Sequence, residues 1–392
     1  MDLLKVIIAS GKAKVAMDSG AAPQQSHTEA RQTDVDAYSA EGYQSMTTDG
    51  PRNEAFELAI KQAVRDRLLV WLEIGPGSDA VLTKMVFKAS RDQNKRVRLV
   101  AFEGNVESAE RAREVVRKER PRVDCQVFTG LSTNPRLVET ATIHCPDVLL
   151  HEILGFFAGS EGAVSAIKDI HRYLQSVGKS PKSIPCAAAT FFRPINPSLE
   201  DLKNRGVHIN PGVFALLHRL PILNTRCFEH EGVWDPPTGM IELIDFENGL
   251  HPSRLKQVNV TVMRPSAPAI VRGLGTWMWC MTSMNGAPRR WSNPGFPYGS
   301  KVTNALGELP SDHIAFSTLH GDDGHVATNW PNVFLPFSEP ASVSVEEALV
   351  VSTIADLSQI MPRYEINVAL RSQSSSRTVY DAVIDDFYPI FN

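Results

Sequence analysis

The 392-residue chain is poor in the features that would dictate a fold outright. Its five cysteines (Cys125, Cys145, Cys186, Cys227, Cys280) lie far apart and none belongs to a CxxC pair. Neither a zinc site nor a disulfide framework is therefore indicated, and reduced thiols of an intracellular compartment are expected. No apolar run approaches the ~18 residues needed for a membrane-spanning helix. The run Leu3-Leu4-Lys5-Val6-Ile7-Ile8-Ala9 is short and broken by Lys5, so it reads as a frayed helix or tail rather than a signal peptide. Charge of one sign is also missing. With 40 basic against 44 acidic residues, net −4, the chain is not a general nucleic-acid binder, and its mildly acidic surface suits a cationic partner.

What is present is an ordinary globular balance, 43% apolar and 21% charged residues, in a chain long enough for two core-building units. Residues 1–34 read as a flexible tail, polar and aperiodic from 17 onward. A helix is expected over about 54–70. Strands follow at Leu68–Ile74, Val97–Phe102 and Asp147–His151. Helices separate them, one after Gly77 with Ser78 as its N-cap and one over Asn105–Glu119. Strands alternating with helices imply a parallel, doubly wound α/β sheet. Ligands bind such sheets beyond the carboxyl ends of the strands, which selects Gly75–Gly77, Glu103 and Glu152. After about residue 192 the texture changes to proline-punctuated short segments. Runs at Gln257–Met263, Thr276–Met281 and Ala348–Ile354 predict antiparallel strands, and 196–228 reads as a helical insert.

Three constellations sit at the selected strand ends. Glu73-Ile-Gly75-Pro-Gly77 lets a ligand approach the backbone closely and aims a helix N-terminus at it. The turn alone also fits a nicotinamide dinucleotide, which stays open as a rival. Glu103, followed by Gly104, can accept both hydroxyls of a ribose. In His151-Glu152-Ile-Leu-Gly155-Phe-Phe-Ala-Gly-Ser-Glu161, two carboxylates bracket a glycine-containing apolar loop. Such a pair suits a planar delocalised cation, a guanidinium above all. The plainer alternative is that Glu161 merely opens the next helix, where an acid is favoured.

Taken jointly, these segments resemble the protein arginine methyltransferases over about residues 35–392. Tyr43-Gln-Ser-Met46-Thr-Thr-Asp49-Gly-Pro-Arg52-Asn53 is similar to the family's N-terminal signature, which implies that Tyr43 and Met46 pack near cofactor and substrate and that Arg52 binds the cofactor carboxylate. Glu73 to Gly77 is similar to the cofactor glycine motif, Glu103 to the ribose-binding acid, and Glu152 with Glu161 to the double-glutamate loop. Thr328-Asn329-Trp330 resembles the barrel's Thr-His-Trp loop, with Asn329 in place of the histidine and facing Asp49. Asp79 replaces the third motif glycine. The acid that holds the adenine amino group is not evident after Gly130, and Ser132 or nearby backbone takes that place.

The resemblance implies a seven-stranded class I methyltransferase (Rossmann-like) domain over 35–192 and a β-barrel substrate domain over 193–392, with 196–228 as a helical dimerisation arm. It implies S-adenosyl-L-methionine as cofactor, S-adenosyl-L-homocysteine as product, and no metal. Expected partners are arginine-containing substrates such as histone tails and arginine/glycine-rich proteins, and a second copy in a homodimer, with no direct nucleic acid and no membrane. The location implied is cytoplasmic or nuclear. Arg52-Asn53 and Gly-Ser-Glu161-Gly-Ala are most similar to the type III, seventh-class enzymes in a single-copy, kinetoplastid-like form, which stop at monomethylarginine. A type I or II enzyme and a catalytically inactive activating partner are the alternatives.

Overall fold

The computed structural model describes residues 47–119, 123–132, 134, 139, 145–197, 223–225, 233–236, 238–247, 250, 252–283, 314–318, 330, 332–359 and 362–384. Tyr43, Met46, Asn329, the 1–34 tail and nearly all of the 196–228 insert lie outside them. The exceptions in the insert are Asn196, Pro197 and a short strand at Leu223–Thr225, where a helix was expected.

Helix α1 (Gly50–Arg65) begins where Asp49 caps it, its carboxylate accepting from the Arg52 amide, with Pro51 in the first turn. Proline there sacrifices only an amide that has no helical partner. One face of α1 (Phe56, Ala59, Ile60, Ala63, Val64) is buried at helical spacing. Strand β1 (Val70–Ile74) and helix α2 (Val81–Asp92) follow. Ser78 does not cap α2: the cap position is Ala80, in the left-handed conformation with no side-chain hydrogen bond. The turn from Gly75 keeps its backbone bent two residues further than the sequence suggests, with Gly75 and Gly77 also at positive φ. Strand β2 (Val97–Glu103), helix α3 (Val106–Glu119) and strand β3 (Val123–Thr129) come next, then β4 (Val148–His151), helix α4 (Ala163–Ser176) and β5 (Lys182–Ile184). Of the seven strands expected in the parallel sheet, the described residues contribute these five, in the order β3-β2-β1-β4-β5. All four pairings are parallel. Strand β4 is buried throughout, as an inner strand covered on both faces must be.

Antiparallel architecture starts at Ala187. Strand β6 (Ala187–Ile195) pairs with the long β11 (Ala269–Ser283) from Met281 to Gly273. With β7 (Leu223–Thr225), β9 (Gly239–Asp245), β13 (Asn332–Val343) and β12 (Ile314–Ser317) they form one sheet. Strands β8 (Trp234–Asp235), β10 (Lys256–Pro265), β14 (Ala348–Asp356), β15 (Arg363–Arg371) and β16 (Ser376–Ile384) form the other. Side chains stitch the two together at β9–β10. Gln257 accepts from the Leu243 amide and donates to its carbonyl, and Asn259 donates to the Ile241 carbonyl. Two amide side chains thus stand in for ladder bonds, satisfying backbone groups that burial would otherwise orphan.

The period-two alternation of β11 divides the core. Trp277, Trp279 and Met281 face a local cluster with Phe191 and Ala189. Leu274, Met278 and Cys280 face the other way, into a core continuous with the parallel sheet. Helix α1 spans that junction. Phe56 meets Phe316 of β12 at 6.2 Å, and the Thr282 hydroxyl of β11 donates to the Ala55 carbonyl. Phe56→Ala should therefore cost about 3–5 kcal/mol of unfolding free energy. Val258→Thr, on an exposed strand face, should change it by less than about 0.5 kcal/mol. Urea denaturation of both variants checks the contrast.

Candidate functional site

The parallel register brings Ile74 level with Phe102 on one side and His151 on the other. The chain therefore leaves β1, β2 and β4 at one edge of the sheet, and the three sequence-selected positions become neighbours. Gly75 donates its amide to the Phe102 carbonyl at 2.8 Å. A Cβ built on Gly75 would lie 3.4 Å from Ile153, the residue after Glu152. The glycine turn and the double-acid loop are in contact.

Glu103 is nearly buried and accepts from the backbone amides of Gly77 and Asn105, each at 2.9 Å. Burial raises its pKa, opposed by the amides of Asn105, Gly77 and Gly104. Two carboxylate oxygens have about four acceptor sites, more than these amides use, so Glu103 both shapes the glycine turn and can receive hydroxyls. Glu73 turns inward and is not at the surface of the site. It is buried, takes a 2.5 Å hydrogen bond from the Thr83 hydroxyl, and burial pushes it up to about 7. Its role is to tie β1 to α2. Ser132 is buried beyond the end of β3, at the same edge of the sheet.

The centre of the site is an ion pair between residues one hundred positions apart. The Arg52 guanidinium meets the Glu152 carboxylate at 2.5 Å, both side chains nearly removed from solvent. Arg52 also donates to Asn53 at 2.6 Å and lies over the Phe56 ring at 5.5 Å. Burial raises the Glu152 pKa, with Arg52 pulling it back and Asp49 pushing it up. The second Glu152 oxygen is buried with no hydrogen-bond partner among the described residues. The structure brings Asp49, Arg52 and Glu152 together, and the arginine expected to hold a cofactor carboxylate grips a carboxylate of the protein.

Glu161 reaches the same loop from its far end. A Cβ on Gly155 would overlap the Ser160 hydroxyl and lie 3.0 Å from Glu161 Cγ, so the chain folds back on itself and only glycine fits. Glu161 immediately precedes Gly162, the cap of α4, whose first turn carries no acid, so Glu161 lies just before the helix and does not open it. The residue is half-buried, with no hydrogen bond or ion pair among the described residues, and burial alone pushes its carboxyl up to about 8. Trp330, six percent exposed, stacks on Phe316 at 6.5 Å, one ring removed from Phe56. That makes it part of the core under α1.

Sequence reasoning missed Glu242 of β9. It is fully buried and bonds to the backbone of the double-acid loop. A lone acid inside the apolar run Met240–Ile244 was the available signal.

The raised Glu161 pKa gives a pH prediction. The folded protein holds this proton more tightly than the unfolded chain, whose value is 4.5. Glu161 therefore costs no stability below 4.5 and lowers stability as pH rises through about 8. Glu161→Gln removes that slope. Its melting temperature should exceed that of the parent by more at about pH 8.5 than at about pH 5, in ligand-free thermal melts. A constant difference would mean a solvated carboxyl.

No family model and no curated protein sequence matches the chain. Solved structures do. The chain is similar to protein arginine methyltransferase 10 of Arabidopsis thaliana, crystallised in an open conformation, with TM-score 0.60, 14% identity, and 89% of this chain and 98% of that one covered. It is similar to a structure of protein arginine methyltransferase 6 with S-adenosylhomocysteine, with TM-score 0.60, 15% identity and coverage of 85% and 100%. A third is the Trypanosoma brucei protein arginine methyltransferase 1 enzyme–prozyme heterotetramer with S-adenosylhomocysteine, with TM-score 0.53, 13% identity and coverage of 88% and 99%. At these identities the likeness is one of architecture, and the chain has the fold that these arginine methyltransferases share.

Proposed function

We propose that the chain is a protein arginine N-methyltransferase that takes its methyl group from S-adenosylmethionine. The observation that carries this reading is the buried pairing of Glu152 with a guanidinium at the carboxyl edge of a parallel sheet. The chain demonstrates with its own Arg52 that the carboxylate accepts this cation. The residues around it suit the cofactor. Gly75 and Gly77 expose backbone at positive φ, Glu103 offers acceptors for ribose hydroxyls, and Arg52, on Glu152 in this structure, is the cation for the cofactor carboxylate. When bound, the cofactor supplies a methyl group already activated on a sulfonium.

The chain's own residues then have to present a nucleophile. Guanidinium lone pairs are delocalised and its pKa exceeds ~12, so a carboxylate cannot simply deprotonate it first. Glu152 and Glu161 grip the cation by charge-assisted hydrogen bonds, gather electron density on one terminal nitrogen and aim it. Orientation of this kind contributes up to roughly 7–11 kcal/mol in ideal cases. The proton leaves with or after the transfer.

The finer reading follows from sequence. Asn329, where the family has histidine, cannot relay a proton at neutral pH, which is compatible with a product restricted to monomethylarginine. Substrates are arginine/glycine-rich proteins and histone tails, met in the cytoplasm or nucleus. A single catalytic copy works as a homodimer through 196–228, and the resemblance assigns Tyr43 and Met46 to the surroundings of cofactor and substrate. One observation favours a second reading. Arg52 occupies Glu152, as it would in an inactive subunit that activates another, and one of the similar structures pairs an enzyme with a prozyme.

Incubation of the purified chain with S-adenosylmethionine and an arginine- and glycine-rich peptide, read by mass spectrometry, tests both. Monomethyl peptide is expected. Glu152→Gln and Glu161→Gln should each lower the rate by about a hundredfold or more, while S-adenosylhomocysteine still raises the melting temperature of both variants. No product from the parent chain alone would support the inactive-partner reading. Dimethyl product would refute the type III assignment.

A further inference from the structure

The double-acid loop does not rest on the parallel sheet alone. Between Phe157 and Ser160 it leans on the antiparallel layer, through one buried carboxylate. Glu242 Oε1 accepts from the Gly159 amide at 3.1 Å and from the Thr190 hydroxyl of β6 at 2.7 Å. Oε2 accepts from the Tyr364 hydroxyl of β15 at 2.9 Å. The Thr190 oxygen in turn accepts from the Ala158 amide at 2.8 Å. Two consecutive loop amides are thus held from β6 and β9. The approach is close: a Cβ on Gly159 would lie 2.8 Å from Glu242 Oε2 and 3.0 Å from both the Tyr364 oxygen and Leu357. Phe157 packs edge-on against the Tyr364 ring at 5.0 Å.

A fully buried carboxylate costs far more than a leucine of the same strand would, unless its hydrogen bonds are used. Here they are: one comes from the Gly159 amide, two residues before Glu161, and another from Thr190, whose oxygen holds the Ala158 amide. The antiparallel layer could have packed on this loop with apolar side chains. It presents an acceptor that fixes the backbone direction instead.

Resting on the arginine-methylation reading, we infer that Glu242 is a positioning residue for catalysis, setting the orientation of Glu161 by holding the Ala158–Gly159 backbone from the antiparallel layer. It touches neither substrate nor cofactor. Its effect on turnover passes through the loop, so it belongs in kcat rather than in cofactor binding.

The test compares Glu242→Ala, Glu242→Gln and Tyr364→Phe with the parent chain. Glu242→Ala should lower kcat between about tenfold and a hundredfold with the cofactor KM unchanged. Amide exchange over residues 155–161, followed by mass spectrometry, should accelerate. Glu242→Gln keeps an acceptor for Gly159 and Thr190 and should restore most of the rate. Tyr364→Phe, which retains the ring, should change both readouts in the same direction but less. A folded Glu242→Ala with parental kcat and parental exchange overturns the inference. So does a fall in rate that comes entirely through cofactor KM. Where Glu242→Ala shows no cooperative melt, parental kcat and exchange in Tyr364→Phe overturn it. Absence of methyl transfer by the parent chain counts against the functional reading instead, and the exchange measurement still decides whether Glu242 holds the loop.

Discussion

A guanidinium and a carboxylate taken out of water together are an expensive pair. Attraction between Arg52 and Glu152 offsets the desolvation of both, but a well-packed apolar pair of similar volume would commonly be as stable or better. The pair is not there for stability alone. Its two halves also come from different places: Arg52 from the first turn of α1, Glu152 from the end of β4. They meet only because the start of α1 and the end of β4 are brought side by side, so the pair depends on the finished topology. Under the proposed function, Arg52 has two anionic partners to choose between, Glu152 and the carboxylate of the methyl donor. The chain's own cation keeps Glu152 compensated until one from outside takes its place.

The architecture serves that junction. A parallel sheet delivers strand ends to one edge, which positions Gly75–Gly77, Glu103 and Glu152, but it leaves the loop beyond Glu152 with no strand to follow. Support comes from the antiparallel layer. Helix α1 is held by β11 and β12 through Thr282 and Phe316, and the loop is held by β6, β9 and β15 through Thr190, Glu242 and Tyr364. Both halves of the ion pair are therefore tied to the same second layer. A continuous apolar core from β1 and β4 across to Met278 and Cys280 makes the two layers one mechanical object at this point.

What could be read from sequence divides along the same line. The alternation of apolar runs with helical spacing is local, and it located β1, β2 and β4 to within two residues. Topology then placed Glu103 and Glu152 at one edge with no further information. The Ser78 cap failed because a serine before a helix is only a local preference. Glycines at positive φ carry the turn on to Ala80, which the chain tolerates in the left-handed region to keep the Gly77 amide on Glu103. The partner of Arg52 was not legible either, since pairing across one hundred residues depends on which strand ends are adjacent and not on either neighbourhood. Glu242 was the least visible. Its strand reads as an apolar run with one acid inside it, and only the arrival of Ala158 and Gly159 gives that acid a reason to be there.

The two acids of the loop end up unlike each other, which bears on how a cation enters. Glu152 is buried beside a permanent positive charge; Glu161 has none among the described residues, and burial pushes its carboxyl up to about 8. Burial thus favours the protonated form of Glu161 in the ligand-free site, while Glu152 lies against the Arg52 guanidinium. A second guanidinium bound between the carboxyls would favour the ionised form of Glu161, because an opposite charge within hydrogen-bonding reach opposes desolvation. Capture of an arginine side chain would then be accompanied by loss of a proton from Glu161 to solvent. Under the proposed function, the grip on the substrate would form only as the substrate arrives.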